Sequence, residues 1–385
     1  MNFVALKMLV GDRAKYLGII MGLTFASLLI TQQAGIFVGL MSRTYGAITD
    51  AGGIDVWVME SNVQFIDDVK PMSGTELFRI RGVDGVQWAM PMYRGLIKAR
   101  LDNGNYQTCI ITGIDDATLI GGPPTMVQGK LTDLRRADGI IVNDVGAAGM
   151  LARTGPDGKT KIPLKIGDTI ELNDHRSVVV GICRVARTFN SQPVVYTTYN
   201  RATSFAPQER KLLSFVLVKA QPGQDIAELC RRINRTTGLA AYSQPQFVQK
   251  TYDYFMKNTG IPVNFGISVA LGFLVGTAIA GQTFYQFTLE NLRHFGALKA
   301  MGTGNRMLLK MIGLQALLVG AIGYGLGVGL ACLFGFVTRH TELSFRLPAW
   351  LMVGNAVAIV FICGLSSVFS LWKVLKLEPA IVFKG

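Results

Sequence analysis

Four stretches of the chain, residues 17–42, 258–289, 311–338 and 347–372, contain no Asp, Glu, Lys or Arg. A helix crossing hydrocarbon needs about 20 such residues, because each ionised group placed there costs on the order of a few kcal/mol. Elsewhere the longest charge-free run, 236–249, has 14 residues. Composition agrees: half of the 385 residues are apolar, mean hydropathy is +0.35 and only 16% are charged, against roughly 25% in soluble domains. The first run has an apolar core longer than the roughly 7–15 residues of a secretory leader, and no A-x-A cleavage site follows it. It is therefore expected to be retained as an anchor.

Basic residues orient the spans. With the N-terminus inside, Lys7, Arg13 and Lys15, then Arg293, Lys299, Arg306 and Lys310, then Lys373, Lys376 and Lys384 all face the cytosol, whereas the short third-to-fourth connection carries Arg339 and Arg346. Residues 43–257 are then outside. That segment holds 26 Lys and Arg against 21 Asp and Glu, and long domains translocate largely regardless of charge. The overall charge of +13 thus points to anionic lipid at the inner surface and not to nucleic acid. Before the first span, Phe3, Leu6, Leu9 and Val10 recur at helical spacing, so residues 1–16 read either as an interfacial helix or as an extension of the span.

The outer segment mixes strand and helix signals. Alternation around Asn103-Gly104 predicts a hairpin within 95–111, and a second is expected within 167–183, turning at Asn173-Asp174. Ser73 with Glu76 has capping-box spacing, and 225–237 reads as a helix with Asp225 near its N-cap and Gly238 past its end. Gly121-Gly122-Pro123-Pro124 and the loop from Gly155 to Gly158 are each candidates for dividing two lobes. A disulfide between two of Cys109, Cys183 and Cys230 is left open.

Catalytic patterns are missing from the sequence. His175, His294 and His340 fall on different sides of the membrane or at its edges. The GKT at Gly158-Lys159-Thr160 has Arg153 where a phosphate loop needs its first glycine. We expect neither a metal site nor a cofactor held by this chain, and the charge-free spans argue against an ion-coupled carrier. Inside the spans, Gly320, Gly323, Gly325, Gly327 and Gly329 give overlapping G-x-x-x-G spacings. Thr31, Gln32 and Gln33, and Gln282, Thr283 and Gln286, need hydrogen-bond partners in lipid. Gln32, Gln33, Gln282, Gly325 and Gly329 are the candidates for span packing or a dimer interface.

The stretch 289–302, LENLRHFGALKAMG, follows the second span directly. As a helix it sets Arg293, Gly296, Ala297 and Ala300 on one side and Leu292, Phe295 and Leu298 on the other. One face is smooth and the other apolar, which suits close seating in another protein better than catalysis. Glu290, Arg293, Gly296, Leu298, Lys299, Ala300 and Gly302 match E-x-x-R-x-x-G-x-L-K-A-x-G, and in this the chain resembles the MacB/FtsX-like permeases of ABC transporters, most closely the DevC and HrtB branch. The order of one span, a large outer domain and three spans matches as well, as does Leu377-Glu378-Pro379-Ala380 near the end. His294 and Phe295 depart from the Glu and aliphatic residue common in the family.

The resemblance implies a fold of four transmembrane α-helices with a large α+β extracytoplasmic domain between the first and second. Its parts are an amphipathic helix (1–16), spans at 17–42, 258–289, 311–338 and 347–372, a MacB-like periplasmic core (43–257), a coupling helix (290–302) and a cytoplasmic tail (373–385). It implies ATPase coupling through Glu290, Arg293, Gly296, Ala297, Leu298, Lys299, Ala300 and Gly302. ATP and Mg belong to two partner ATPase subunits; the chain itself is non-catalytic, a homodimer and an inner-membrane protein with both termini cytoplasmic. A periplasmic adaptor and a TolC-like outer-membrane channel go with the DevC-like branch. Export of a hydrophobic or amphiphilic substrate such as lipid, glycolipid, haem or drug is the leading expectation. Its rivals are FtsX-like activation of a cell-wall hydrolase without transport, and an enzyme anchored by the spans.

Overall fold

The computed structural model describes residues 2–11, 13–157, 160–206, 213–339 and 341–375. The chain divides into two compact units, Met1–Leu40 with Gly260–Gly385, and Met41–Thr259. It opens with α1 (Asn2–Gly11) and α2 (Arg13–Asp50). The second runs eight residues past the expected end of the first span before it stops.

Along Met41–Thr259 follow β1 (Val56–Met59), α3 (Thr75–Arg81), β2 (Val86–Arg100), β3 (Tyr106–Ile114), β4 (Thr125–Gln128), β5 (Gly139–Asn143) and α4 (Asp144–Ala148). A small hairpin of β6 (Arg153–Thr154) and β7 (Lys161–Ile162) precedes β8 (Thr169–Leu172), β9 (His175–Arg184), β10 (Val194–Thr198) and α5 (Tyr199–Phe205). β11 (Phe215–Ala220), α6 (Ile226–Thr237), β12 (Ala240–Ser243) and α7 (Gln244–Asn258) complete the unit. The main sheet has the order β12-β1-β11-β2-β3-β10-β5-β9-β4, with β8 on β2 and β9. Neither glycine-proline loop divides this unit. The Gly155 loop only turns between β6 and β7, with Gly158 and Lys159 outside the described residues.

Both hairpins form where the turn residues place them. β2 and β3 pair antiparallel across Gly104, whose φ is +82°; β8 and β9 pair across Asn173 and Asp174, both left-handed at φ 46° and 64°, which is type I′ geometry. Asp225 caps α6 by accepting from the Ala227 N–H, and Gly238 closes it at φ +76°. The Ser73 capping box does not form: Gly74 is the N-cap of α3, the Ser73 hydroxyl bonds that of Thr75, and Glu76 pairs with Arg79. A capping box occurs instead at Ser243 and Gln246, starting α7.

Strand β2 joins two cores. Its residues 86–92 pair with β11 and its residues 93–100 with β3. Around the first half, α3 and α6 bury Ile80, Leu229 and Ile233 against Val56, Val216 and Val218 on one face. The other face carries Trp57, whose ring meets Phe215 and Phe247 at 5.6 Å each. Around the second half, Tyr93, Ile97, Cys109 and Ile111 pack with Val142, Val179 and Val195. Cys109, Cys183 and Cys230 lie buried in three separate clusters of the unit, Cys183 beside Ile114, Ile141 and Val194, and are free thiols, so no bridge staples the unit.

The remaining elements are α8 (Ile261–Glu290), α9 (Leu292–Ala300), α10 (Asn305–Thr338) and α11 (Ala349–Leu375). Helices α2, α8, α10 and α11 are long and apolar enough to cross a membrane. Lipid tails are as apolar as leucine, so close packing and interhelical hydrogen bonds must hold such helices together. Gly276 faces Ala26, Gly323 faces the Leu23 Cβ and Gly327 the Ser27 Cβ, each too near for a side chain to fit between. The resulting cluster joins Ile19, Leu23, Ala26 and Ile30 to Ala280, Phe284, Val319, Ile359 and Ile362.

Candidate functional site

The α8–α9–α10 elbow begins with the end of the second apolar helix. α8 finishes at Glu290, and Asn291, at φ −86° and ψ 5°, is the only residue between it and α9. Asn291 serves both helices: its N–H and Nδ2 donate to the Phe287 carbonyl at 3.2 and 2.9 Å, and its own carbonyl accepts from the Phe295 N–H at 3.0 Å. The far end of α9 closes with paired bonds, Thr303 N–H to Leu298 O and Gly302 N–H to Lys299 O, and Gly302 sits at φ +94°. This is the Schellman arrangement, which needs a residue free to take positive φ at that place. The last glycine of the motif is therefore a stop.

The apolar side of α9 is seated within its own unit. Phe295 is fully buried among Leu308, Met311 and Ile312 of α10, with Met8, Leu292 and Leu298 at the margin. Arg293, His294, Ala297 and Ala300 are exposed on the opposite side. Gly296 differs from the helical-wheel expectation: it is buried, not part of the open face. Lys299, in the last turn, is half-buried and lies where a cation complements the carbonyl end of the helix dipole. Glu290 forms an ion pair with Lys15 of α2. From the sequence Lys15 counted only as an inner-face cation and not as a partner of Glu290, because the two residues are far apart in the chain; the signal was only opposite charge at the ends of two apolar helices.

The polar residues of the apolar helices separate into two groups. Thr31 is buried and accepts from Asn355 Nδ2 at 2.7 Å; the same nitrogen donates to Ser27 Oγ at 2.9 Å, and Ser27 donates to the Tyr324 carbonyl at 3.3 Å. This network ties α2, α10 and α11. Asn355 was missed by a search for charges, although a lone amide in an apolar run was visible. Gln32 and Gln33 are half-buried and Gln282 is exposed. Gly325 and Gly329 meet nothing within 4 Å: packing inside the chain falls to Gly320, Gly323 and Gly327, whereas these two glycines lie on an outer face. His175 stacks on Phe205 at 5.0 Å between ring centres, His294 is on the elbow and His340 lies outside the described residues, as does Leu377-Glu378-Pro379-Ala380. Among the described residues no group of three or more His, Cys, Asp or Glu is placed to hold a metal.

Comparison with known proteins assigns both parts. The MacB-like periplasmic core domain family matches residues 16–236 and the FtsX-like permease C-terminal family matches residues 266–379. The chain belongs to the MacB/FtsX-like permeases of ABC transporters. This permease is 24% identical over 344 residues to an uncharacterized ABC transporter permease of Mycobacterium tuberculosis strain H37Rv, covering 87% of this chain and 86% of that one. A second relative, an uncharacterized ABC transporter permease of Methanocaldococcus jannaschii, is 23% identical over 234 residues, 58% of each chain. Among solved structures, the periplasmic region of MacB from Actinobacillus actinomycetemcomitans aligns over 55% of the permease and 96% of that chain, with 14% identity and a TM-score of 0.37. The extracellular domain of the transporter YknZ from Gram-positive bacteria aligns over 49% and 98%, with 16% identity and a TM-score of 0.34. An ABC transporter permease works with an ATPase, and the family places an α+β domain outside the membrane.

Proposed function

We propose that the permease is the membrane subunit of an exporter in which a separate ATPase seats on α9 and its closure is relayed through the apolar helices to the outer domain. The observation that carries this reading is the two-sidedness of α9. Its apolar side is fixed by Phe295 on α10, while Arg293, Ala297 and Ala300 present an open side whose two alanines let another backbone approach closely. Both ends run into long apolar helices through very short joints. Such an element receives force and passes it on without chemistry of its own.

In this reading Glu290, Arg293, Ala297, Lys299 and Ala300 meet the ATPase, Leu298 and Gly296 seat the helix, and Gly302 ends it. Two ATPase copies, with their ATP and Mg, serve a permease homodimer, for which Gln282, Gly325 and Gly329 offer exposed contacts. Residues 43–257 lie in the periplasm of a cell whose inner membrane holds the spans, both termini are cytoplasmic, and α1 lies on the inner leaflet. The cargo is hydrophobic or amphiphilic, handed to a periplasmic adaptor and an outer-membrane channel.

The cleanest test is Ala297→Glu, because Ala297 is exposed and supports no core. The variant should insert and fold normally yet lose ATPase co-purification and stimulation by at least about tenfold, the effect of spoiling the centre of an interface. Full stimulation would overturn the role of α9. Capture of a cell-wall hydrolase by residues 43–257 without export of any substrate would replace transport by signalling.

A further inference from the structure

A cavity of about 460 Å³ opens on the unit Met41–Thr259, where β2 passes from β11 to β3. The hand-over leaves a notch that Ser214 closes: its hydroxyl accepts from the Arg94 N–H at 3.0 Å and donates to the Arg94 carbonyl at 3.2 Å. Residues two apart on a strand share a face, so Arg94 and Leu96, with their cross-strand partners Thr112 and Ile110, form a floor turned away from the core beneath Ile97 and Ile111. Leu96 is 54% exposed on that floor and Arg94 only 3%.

The arginine at the bottom is incompletely used. Its Nε donates to Asp67 at 2.8 Å and its Nη1 to Thr112 at 3.2 Å, while Nη2 makes no hydrogen bond among the described residues. A guanidinium carries five donors in a fixed fork suited to a carboxylate. Arg43, Arg187 and Asp50 line an adjoining hollow, and Asp67 and Arg94 line both it and the cavity. Besides Leu96 and Ile110 of the floor, Val69 and Gln192 line the cavity. The volume matches about fifteen water-sized groups and falls in the range of small-molecule sites.

We infer that this cavity is a binding site for a small monoanionic amphiphile, its carboxylate on the Arg94 fork and its hydrocarbon or aromatic body on Leu96, Ile110 and Val69. The site stands apart from α9 and does not depend on how the ATPase couples. A bound carboxylate would complete the hydrogen bonding of a buried cation, and its apolar body would cover the exposed leucine.

The test uses the full chain in phosphatidylcholine nanodiscs, with empty nanodiscs as the blank. It is titrated with 4-phenylbutyrate, 4-phenylbutan-1-ol and 4-phenylbutylamine and followed by calorimetry. The acid should bind saturably with one site per chain, the alcohol about tenfold more weakly or worse, as expected for loss of a charge-assisted hydrogen bond, and the amine not at all. Arg94→Gln should abolish the preference and Arg94→Lys restore part of it. Because Arg94 is buried and its variants are at risk of misfolding, Leu96→Glu supplies an independent arm: it changes an exposed side chain at the floor and should weaken acid binding at least about tenfold with the circular dichroism unchanged. Equal affinity for acid and alcohol, tighter binding of the amine, acid affinity unaltered by Leu96→Glu, or no saturable binding of the acid would each overturn the assignment. Loss of ATPase stimulation in Ala297→Glu with acid binding intact would show the two sites failing or holding separately.

Discussion

Cys109, Cys183 and Cys230 show at the scale of single residues why spacing could not settle the cysteines. Each sits in a different packed layer, and burial pushes the Cys109 and Cys183 thiols up to about 12 and Cys230 up to about 11. Thiols held this far above their ordinary range are poor nucleophiles, so iodoacetamide at pH 8 should label none of the three until the protein is unfolded, as counted by mass spectrometry. Linkage gives a second consequence. The folded state holds these protons more tightly than the unfolded chain, so the stability they contribute is complete below the unfolded value near 9 and is lost as pH rises toward 11 to 12, at about 1.4 kcal/mol per thiol for each pH unit. The melting temperature should fall between pH 9 and 11, and less steeply in Cys109→Val; an identical fall would place its cause elsewhere. Gly238 and Asp225 are the opposite case, because a left-handed stop and an N-cap are set within one turn of chain and were legible in the sequence. Gly296 was not legible: a helical wheel set it on the open side with Arg293, and only the folded chain shows that it is buried.

Helices and strands were legible as far as their cause was local. Four charge-free runs announced the long helices, and Asn103-Gly104 and Asn173-Asp174 announced two hairpins, since each depends on a few consecutive residues. The sheet order was not legible, because β1, β10 and β11 pair with strands far away in sequence. Ser73 and Glu76 had the right spacing, but the helix started one residue later, with Gly74 as its N-cap. The glycines of α10 make the same point with a test attached. Gly327 meets Ser27 and the Thr24 carbonyl, whereas Gly325 meets nothing within 4 Å. Gly327→Val should destabilise the detergent-solubilised chain by about 1–3 kcal/mol, the usual cost of overpacking, and Gly325→Val should leave it unchanged while weakening the proposed dimer. Equal thermal stability for the two variants would mean that α2 and α10 do not approach as described.

The whole molecule is two compact units on one chain, one of them carrying the apolar helices, and the export proposal needs the α9 elbow of that unit and the whole of the other on opposite faces of a membrane. Lys299 lies on α9 and Lys165 between β7 and β8, so a membrane-impermeant amine reagent applied to sealed right-side-out vesicles should modify Lys165 and spare Lys299, with the pattern reversed in inverted vesicles. Modification of both from one side would end the coupling proposal while leaving the Arg94 cavity untouched. Motif and span order made the family legible; the cavity was hidden because it arises where β2 exchanges one neighbour for another, an event with no short sequence signature. The joint at Asn291 bears on how such a machine could move. With one residue between α8 and α9 there is a single φ and ψ pair in which to lose motion, and both of its backbone groups are already engaged. In the export proposal, an elbow with so little slack acts as a crank, so that the angle through which the ATPase turns α9 sets how far α8 is obliged to swing.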